Sequence, residues 1–197
     1  MRSLLAYPHA LLFLVAYLLY NDAIQAVITL SGQFGSEYLK IPMAQLTLAI
    51  LMVQFVAVAG AMGMNEIAKR ISAKRTVSLA LVAWIVLMLG VFFVKTTAHF
   101  FIAAALVALI MGGSQALSRS LFSLMIPKGR EAEYFSLYEI SDKGTSWLAP
   151  LLFSLTLQLT GSYQLGILSQ IVFFAAGLIL LMRVDVARAA REAGNSI

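Results

Sequence analysis

Apolar stretches of about 20 residues alternate with short polar joints along the whole chain. A stretch of that length allows an α-helix to cross the ~30 Å hydrocarbon core of a bilayer. The pattern predicts six membrane-spanning helices, at residues 8–30, 43–64, 77–94, 100–126, 134–159 and 163–182. Because the joints are too short to hold a soluble domain, we expect one helical bundle over residues 1–197, with a cytoplasmic tail at 183–197.

Composition supports an all-α integral membrane protein. Hydrophobic residues make up 61% of the chain and charged residues only 12%, whereas about a quarter of a soluble domain is charged. A chain this apolar could not cover its surface with polar groups in water, which argues against a soluble enzyme, a nucleic-acid-binding protein and a disordered segment. The net charge of +5 does not indicate nucleic acid as a partner, since basic residues at the ends of membrane helices give the same sign.

The distribution of basic residues predicts that both termini are cytoplasmic. Lys and Arg collect on the cytoplasmic side of membrane proteins. With the N-terminus inside, the outer joints hold only Lys40 and Lys95, while Arg119 and Lys143 fall within spans. The other ten basic residues lie on the cytoplasmic side: Arg2, Lys69, Arg70, Lys74, Arg75, Lys128, Arg130, Arg183, Arg188 and Arg191.

No motif for an enzyme, a nucleotide or a metal is visible in the sequence. Residues 143–146 look like the end of a phosphate-binding loop, but the upstream glycine of that motif is missing. His9 and His99 lie at opposite membrane faces in this topology and cannot share a metal ion. The chain has no Cys, which excludes Cys-ligated metals and thiolate catalysis. We therefore expect no enzymatic activity, no metal and no cofactor.

Polar residues in the first span recur at helical spacing. Four of them follow one another at i+4, which places them on one helical face: Tyr17, Asn21, Gln25 and Thr29. A lone polar residue in a span often joins two helices and contributes about 0.6–2 kcal/mol, but a stripe with the acid Asp22 beside it favours a water-filled cavity. The predicted substrate cavity is lined by Tyr17, Asn21, Asp22, Gln25 and Gln115.

Four charged residues lie within the fourth and fifth spans: Arg119, Glu139, Asp142 and Lys143. A charge placed there costs at least ~2.5–3.5 kcal/mol on insertion scales, so each needs a partner or water. We predict an ion pair from Arg119 to Glu139 or Asp142, with Glu139 favoured by depth, and breaking such a buried pair would cost about 3–5 kcal/mol. Glu139 and Lys143 are i,i+4 neighbours and could also pair. The cluster either locks two helices together or serves gating or proton coupling, and both roles can coexist.

Small residues and a proline indicate the local shape of the fourth and fifth spans. Gly112, Gly113 and Ala116 are expected to allow close contact between helices. Gly112 and Ala116 have the small-x-x-x-small spacing that brings helices together in membranes. Pro150 is expected to kink the fifth span.

The joint after the second span, residues 65–75, resembles the cytoplasmic motif of the major facilitator superfamily, Gly-x-Leu-Ala-Asp-Arg-x-Gly-Arg-Arg/Lys. The positions that fit are Ile67, Ala68, Arg70, Lys74 and Arg75. The positions that depart are Asn65, Lys69 and Ser72, where the motif has Gly, Asp and Gly. In that superfamily the Asp helps to latch one six-helix half to the other, and here the position holds Lys69. The same basic residues also serve as a positive-inside anchor.

Four further runs resemble the permease family named for the autophagy-linked vacuolar effluxer, which lies within the same superfamily. These runs are residues 17–25, 112–123, 126–133 and 138–150. The resemblance covers nearly the whole chain but only the C-terminal half of the family. It implies one six-helix half of a transporter whose two halves are related by an axis along the membrane normal. The family name implies amino-acid efflux.

The leading hypothesis is a half-sized secondary transporter of the major facilitator type. Two copies inserted in the same orientation can assemble around a two-fold axis. We therefore expect a homodimer in the lipid bilayer of the cell membrane that moves a small solute such as an amino acid. Proton coupling would use Asp22 or Glu139. Two alternatives stay open: the C-terminal half of a transporter that needs a separate N-terminal half, and a membrane scaffold that transports nothing.

The predicted orientation has a direct test, because the chain offers a background without Cys. The variants Glu37→Cys and Gln164→Cys should react with an impermeant thiol reagent added from outside intact cells. The variant Ala73→Cys should react only after permeabilisation. Labelling of Ala73→Cys from outside would overturn the predicted orientation.

Overall fold

A computed structural model describes residues 7–195, and for residues 140–142 and 145 it describes the backbone alone. Over this range the secondary structure is helical, with no β-strand. The helices are α1 (Pro8–Gln33), α2 (Met43–Ile71), α3 (Ala73–Leu89), α4 (Thr97–Leu124), α5 (Glu131–Thr145), α6 (Leu148–Thr160), α7 (Tyr163–Leu168), α8 (Ile171–Arg183) and α9 (Val186–Glu192). A π-helical turn, Phe34–Tyr38, extends α1, and a 3₁₀ turn, Gly90–Phe93, extends α3.

Five helical segments are long and apolar enough to cross a membrane: Pro8–Tyr38, Met43–Ile71, Ala73–Phe93, Thr97–Leu124 and Tyr163–Arg183. The helix Leu148–Thr160 is apolar but shorter. Large apolar side chains cover the outer surface, among them Phe55 and Phe93, each 78% exposed. An apolar surface of this extent suits lipid rather than water. The predicted all-α membrane fold is thus confirmed, and its outward faces are those of a helical bundle in a bilayer.

Polar residues at the joints begin several helices. Ser72 accepts a hydrogen bond from the backbone N–H of Arg75 at the start of α3. Thr96 accepts one from the backbone N–H of His99 at the start of α4. A side-chain oxygen at the N-cap position satisfies one of the backbone N–H groups that have no partner inside the helix. At these two joints the sequence therefore ends one apolar segment and begins the next with a residue that caps it.

Two of the predicted spans are divided in the structure. Residues 134–159 were expected as one span with a kink at Pro150, but α5 ends at Thr145 and α6 begins at Leu148. Pro150 is the third residue of α6, in the first turn, where a missing N–H breaks no helical hydrogen bond. The helix therefore breaks before the proline instead of kinking at it. The sixth span is likewise divided, with α7 ending at Leu168 and α8 beginning at Ile171.

The core forms around α1, which is buried over most of its length. This helix packs on α8 and also on α4, α5 and α6. On one side Phe13 of α1 stacks on Phe122 of α4, with ring centroids 6.3 Å apart. The side of the bundle formed by α3 and α8 is filled by Trp84 and Phe174, whose stacked rings lie 5.1 Å apart. α1 is therefore the central helix, and any polar residue on it must face a cavity or a partner.

The tail helix α9 packs on α1 and α4. Asn195 secures its far end, because its Nδ2 donates to the backbone oxygens of Leu124 and Ile126, both at 2.9 Å. At its start, Asp185 accepts a hydrogen bond at 2.9 Å from the backbone N–H of Arg188. This bond to the ionised form lowers the pKa of the Asp185 carboxyl. The segment predicted as a tail is thus anchored to the bundle.

Close packing joins α2 to α4, the most extensive contact between helices in the fold. A Cβ added at Gly60 of α2 would lie 2.2 Å from the backbone oxygen of Leu109. A Cβ at Gly112 of α4 would lie 2.1 Å from the backbone oxygen of Ala57. Glycine alone lets the two backbones approach so closely. This confirms a packing role for Gly112, and Gly113 has the same role against Met64, whereas Ala116 is exposed.

The variant Gly60→Ala should destabilise the fold, because its methyl group would push α4 away from α2. Overpacking of a tight contact costs about 1–3 kcal/mol. The matched control is Gly63→Ala on the same helix, since a Cβ there meets nothing within 4 Å. That control should be neutral or stabilising by up to about 1 kcal/mol through helix propensity. The melting temperatures of both variants are measured by thermal unfolding in the same detergent. Equal melting temperatures for Gly60→Ala and Gly63→Ala would contradict the packing argument.

Candidate functional site

A polar cavity of about 400 Å³ lies between α1, α4 and α5. The lining residues of α1 and most of those of α4 are three or four positions apart, so each of these two helices presents one face to the cavity, whereas α5 contributes two adjacent residues. The lining residues are Tyr17, Asn21 and Gln25 of α1, Gly112, Gln115, Ala116 and Arg119 of α4, and Tyr138 and Glu139 of α5. The structure therefore brings together, from three different helices, six residues that were predicted for the cavity or the charge cluster.

An ion pair crosses this cavity from Arg119 Nη2 to Glu139 Oε1. The two side chains are 60% and 47% exposed, so the pair opens into the cavity. The Arg119 guanidinium also lies 5.9 Å from the ring centroids of Phe135 and Tyr138. A planar guanidinium held by aromatic rings keeps its fork of donors oriented for a carboxylate. Part of the guanidinium is thus accessible from the cavity.

Two contacts fix α1 beside this ion pair. Gln115 Nε2 donates to Asn21 Oδ1 at 3.2 Å, which joins α1 to α4. Tyr17 stacks on Tyr138 with ring centroids 4.2 Å apart, which joins α1 to α5. An amide contact, an aromatic stack and an ion pair are therefore among the contacts that link the three helices around the cavity.

A second, larger cavity of about 610 Å³ adjoins the first. Its walls come from α1, α2, α4 and the end of α3, and most of the side chains are apolar. Gln25 and Gln115 line both cavities. Thr29, the last residue of the predicted stripe, lines the larger one. The polar stripe on α1 thus continues from a charged cavity into an apolar one.

Comparison with known proteins identifies the family. Residues 1–194 match the family model described as "Vacuole effluxer Atg22 like". The chain belongs to this family. It is 35% identical over 181 residues to an uncharacterised MFS-type transporter (YxiO) of Bacillus subtilis, covering 92% of this chain and 42% of that protein.

Fungal relatives carry the name autophagy-related protein 22. The chain is 30% identical to the Saccharomyces cerevisiae protein, covering 93% of this chain and 37% of that one. It is 29% identical to the Yarrowia lipolytica protein, covering 92% of this chain and 32% of that one. The chain thus spans between about a third and two fifths of the length of these relatives. The resemblance to the effluxer family inferred from the sequence is confirmed.

Asp22 was expected to line the cavity, but it is not among the lining residues. It is 3% exposed, and its Oδ2 accepts a hydrogen bond at 2.8 Å from the backbone N–H of Ala149. Ala149 lies in the first turn of α6, where Trp147 at the N-cap position supplies no side-chain acceptor. Asp22 therefore caps α6 from a neighbouring helix, in place of a local cap. One position along a helix turns the side chain by about 100°, which carries Asp22 away from the stripe.

Gln170 supports the same helix start and was missed from the sequence. Its Nε2 donates to the backbone oxygen of Ala149 at 3.1 Å, and the side chain is fully buried. Asp22 and Gln170 thus hold the N–H and the C=O of one residue. The signal available in the sequence was one of two amides in the sixth span, Gln164 and Gln170, which is not specific. Tyr138 was also missed as a site residue, although it immediately precedes Glu139.

The rest of the charge cluster is described only in part. The Asp142 side chain lies outside the described residues, so its role stays a prediction. Lys143 is exposed on α5. Among the side chains that the structure describes, it forms no ion pair with Glu139, which instead pairs with Arg119.

The loop predicted as the family's cytoplasmic motif lies away from both cavities. Lys74 Nζ donates to the backbone oxygens of Met182 and Val184, at 3.0 and 2.6 Å, at the end of α8. This places a cation at a helix C-terminus, where the dipole favours it. Arg70 and Arg75 are exposed. Ser72 has φ +92°, a conformation that suits glycine, which gives a physical reason for the glycine that the superfamily motif has there.

A double-mutant cycle on Arg119 and Glu139 measures the ion pair. The buried pair expected from the sequence would cost about 3–5 kcal/mol to break. Because both side chains are about half exposed to the cavity, we now expect a coupling energy of about 0.2–1 kcal/mol. Unfolding of Arg119→Leu, Glu139→Leu and the double variant gives this value. The matched control is the exposed i,i+3 pair Glu66–Lys69. A coupling energy several-fold larger for Arg119–Glu139 than for this control would contradict the expectation and show that the ion pair is shielded from water.

Proposed function

We propose that this chain is one half of a transporter of the major facilitator type and that it works as a homodimer to move a small solute. The observation that carries this proposal is the polar cavity with the Arg119–Glu139 pair inside an otherwise apolar helical bundle. Charged residues within membrane helices face a water-filled path or a partner. Membership of the Atg22-like family and the MFS-type relative support transport.

The homodimer explains the exposed polar groups. Gln25 and Gln54 are exposed at the larger cavity, and Arg119 at the smaller one. Lipid cannot satisfy such groups. A second copy related by a two-fold axis along the membrane normal would cover them with an identical cavity wall, as the two halves of a major facilitator transporter do. The same argument favours a central path enclosed by both copies.

The chemistry of the cavity supports a zwitterionic solute such as an amino acid. Arg119 can receive a carboxylate through two parallel hydrogen bonds. Glu139 can receive an ammonium group. A solute with both charges would replace the internal ion pair without leaving either residue unpaired.

Proton coupling, where it operates, is better assigned to Glu139 than to Asp22. Glu139 is 47% exposed to the cavity, so a proton can reach it. Asp22 is buried and holds the first turn of α6 through Ala149. Protonation of Glu139 would weaken its hold on Arg119 and free the guanidinium for a solute carboxylate.

The membrane is proposed to be the cell membrane, with both termini on the cytoplasmic side. The basic residues of the joints support this orientation. The similarity to a Bacillus subtilis transporter favours a bacterial type of cell membrane over an organelle. The fungal relatives, which belong to a family named for the vacuole, leave the vacuolar membrane as the competing location.

A second candidate function is supported by the length of the relatives. Because the chain matches 42% or less of each relative described above, it could work with a separate N-terminal half in place of a second copy. A scaffold that transports nothing is the remaining alternative. The cavity with its ion pair does not support the scaffold alternative, because a scaffold needs no such cavity.

The homodimer should have about twice the 21.4 kDa mass of one chain when measured in nanodiscs.

Proteoliposomes should take up labelled amino acid, and uptake should rise with an imposed pH gradient. Glu139→Gln should remove the dependence on the gradient, while Glu66→Gln on the exposed end of α2 should not. A strict monomer would refute the homodimer and favour a separate half, and a dimer without uptake of any solute would favour the scaffold.

A further inference from the structure

The two cavities lie in line along α1 and α4. On α1, the polar cavity is lined from Tyr17 to Gln25, and the apolar cavity from Gln25 to Phe34. On α4, which runs in the opposite direction, the polar cavity begins at Arg119 and the apolar one continues past Gln115. From Tyr17 to Phe34 the helix rises about 25 Å. Taken together, the cavities make an elongated space with Gln25 and Gln115 at their common boundary, where the lining changes from charged to mainly apolar.

The two ends of this space differ in chemistry. One end holds Arg119 and Glu139, beside the mutually stacked rings of Tyr17 and Tyr138. The other end is walled mainly by aliphatic and aromatic side chains, including Val53, Val107 and Phe100, with Thr29, Ser31 and Gln54 as polar exceptions. Apolar cavities stay dry and take apolar ligands, whereas polar cavities hold water or charged groups. A ligand complementary to the whole space must carry charge at one end only.

We propose that the two cavities together bind one amphiphilic zwitterion, with its charged head at Arg119 and Glu139 and its apolar chain extending past Gln25 and Gln115. The proposal rests on the transport function proposed above and names the class of solute more narrowly. It states that the solute has a long apolar chain, which a compact polar amino acid lacks.

Volume and charge support this occupant over two others. A compact amino acid with its head at Arg119 would leave the apolar cavity of about 610 Å³ unfilled. An alkyl chain with an uncharged head would fill that cavity but leave the Arg119–Glu139 pair with no ligand group to bind. Side chains of a second copy are the remaining occupant. These would enter from the exposed side, near Ile28 and Ile50.

Binding of a series of linear amino acids tests the apolar part of the site. The protein in nanodiscs is titrated with alanine, norleucine, 2-aminooctanoate and 2-aminododecanoate, with empty nanodiscs as the blank for partitioning into lipid. These probes share one zwitterionic head and differ only in chain length. We expect affinity to rise about fourfold for each added methylene, the value of a buried CH₂. Dodecyl maltoside, which has a long chain but no charged head, should bind far more weakly than 2-aminododecanoate.

Variants of two neighbouring alanines test whether the alkyl chain of the ligand lies in the apolar cavity. Ala104 lines the apolar cavity and Ala105 does not, although both lie on α4 and are partly buried. Ala104→Phe should lower the affinity for 2-aminododecanoate at least tenfold and leave alanine binding unchanged, whereas Ala105→Phe should alter neither. Val107→Phe, on the same wall, repeats the test should Ala104→Phe unfold. Arg119→Gln should weaken all members of the series together.

Each outcome separates the site from the transport function. Equal affinity for alanine and 2-aminododecanoate, or a chain-length effect that survives Ala104→Phe and Val107→Phe, would overturn the amphiphile site. Cross-linking of Ile50→Cys between two copies, with no chain-length dependence, would assign the apolar cavity to the interface instead. Binding as expected without uptake into proteoliposomes would refute transport but keep the site. Uptake of alanine without chain-length dependence would refute the site but keep transport.

Discussion

A polar group in a bilayer has no water to bind unless the protein provides it, and the arrangement around α1 follows from that constraint. This central helix carries Tyr17, Asn21, Gln25 and Asp22 within a few turns. The first three line the cavities, where Asn21 pairs with Gln115 and Gln25 is exposed. Asp22 faces the protein, where the first turn of α6 supplies a backbone donor. One helix therefore satisfies its polar groups in two different ways on two of its faces.

The same constraint accounts for the broken helices. A helix start inside the bundle exposes backbone N–H groups that need acceptors. α6 starts there, and Asp22 and Gln170 hold its first turn from α1 and from the start of α8. The break separates α5, which carries Tyr138 and Glu139, from α6, which is fixed. α5 packs mainly on α1, so it is the least restrained of the helices that line the polar cavity.

Much of this site could be predicted from helical periodicity, because residues at i+4 share a face whatever the tertiary structure. The stripe from Tyr17 to Gln25 and the proximity of Arg119 to Glu139 are results of that kind. The burial of Asp22 could not be predicted, since it depends on where another helix begins. The break before Pro150 was missed for a related reason, as residues 134–159 are apolar enough on average to hide a short polar helix. Exposure of the ion pair depends on a cavity that no local pattern encodes.

The separation of α5 from α6 also has a consequence for how the chain enters the membrane. α5 has 15 residues, about 22 Å of helix, and carries Glu139 and Lys143. The translocon inserts a helix into the membrane when the helix is apolar enough on average, and charged residues near the centre of the helix raise the free energy of insertion. α5 would therefore not partition into lipid as a separate unit during synthesis. It is expected to wait at the translocation channel until the apolar α6 emerges, and to enter together with it beside an already inserted α4.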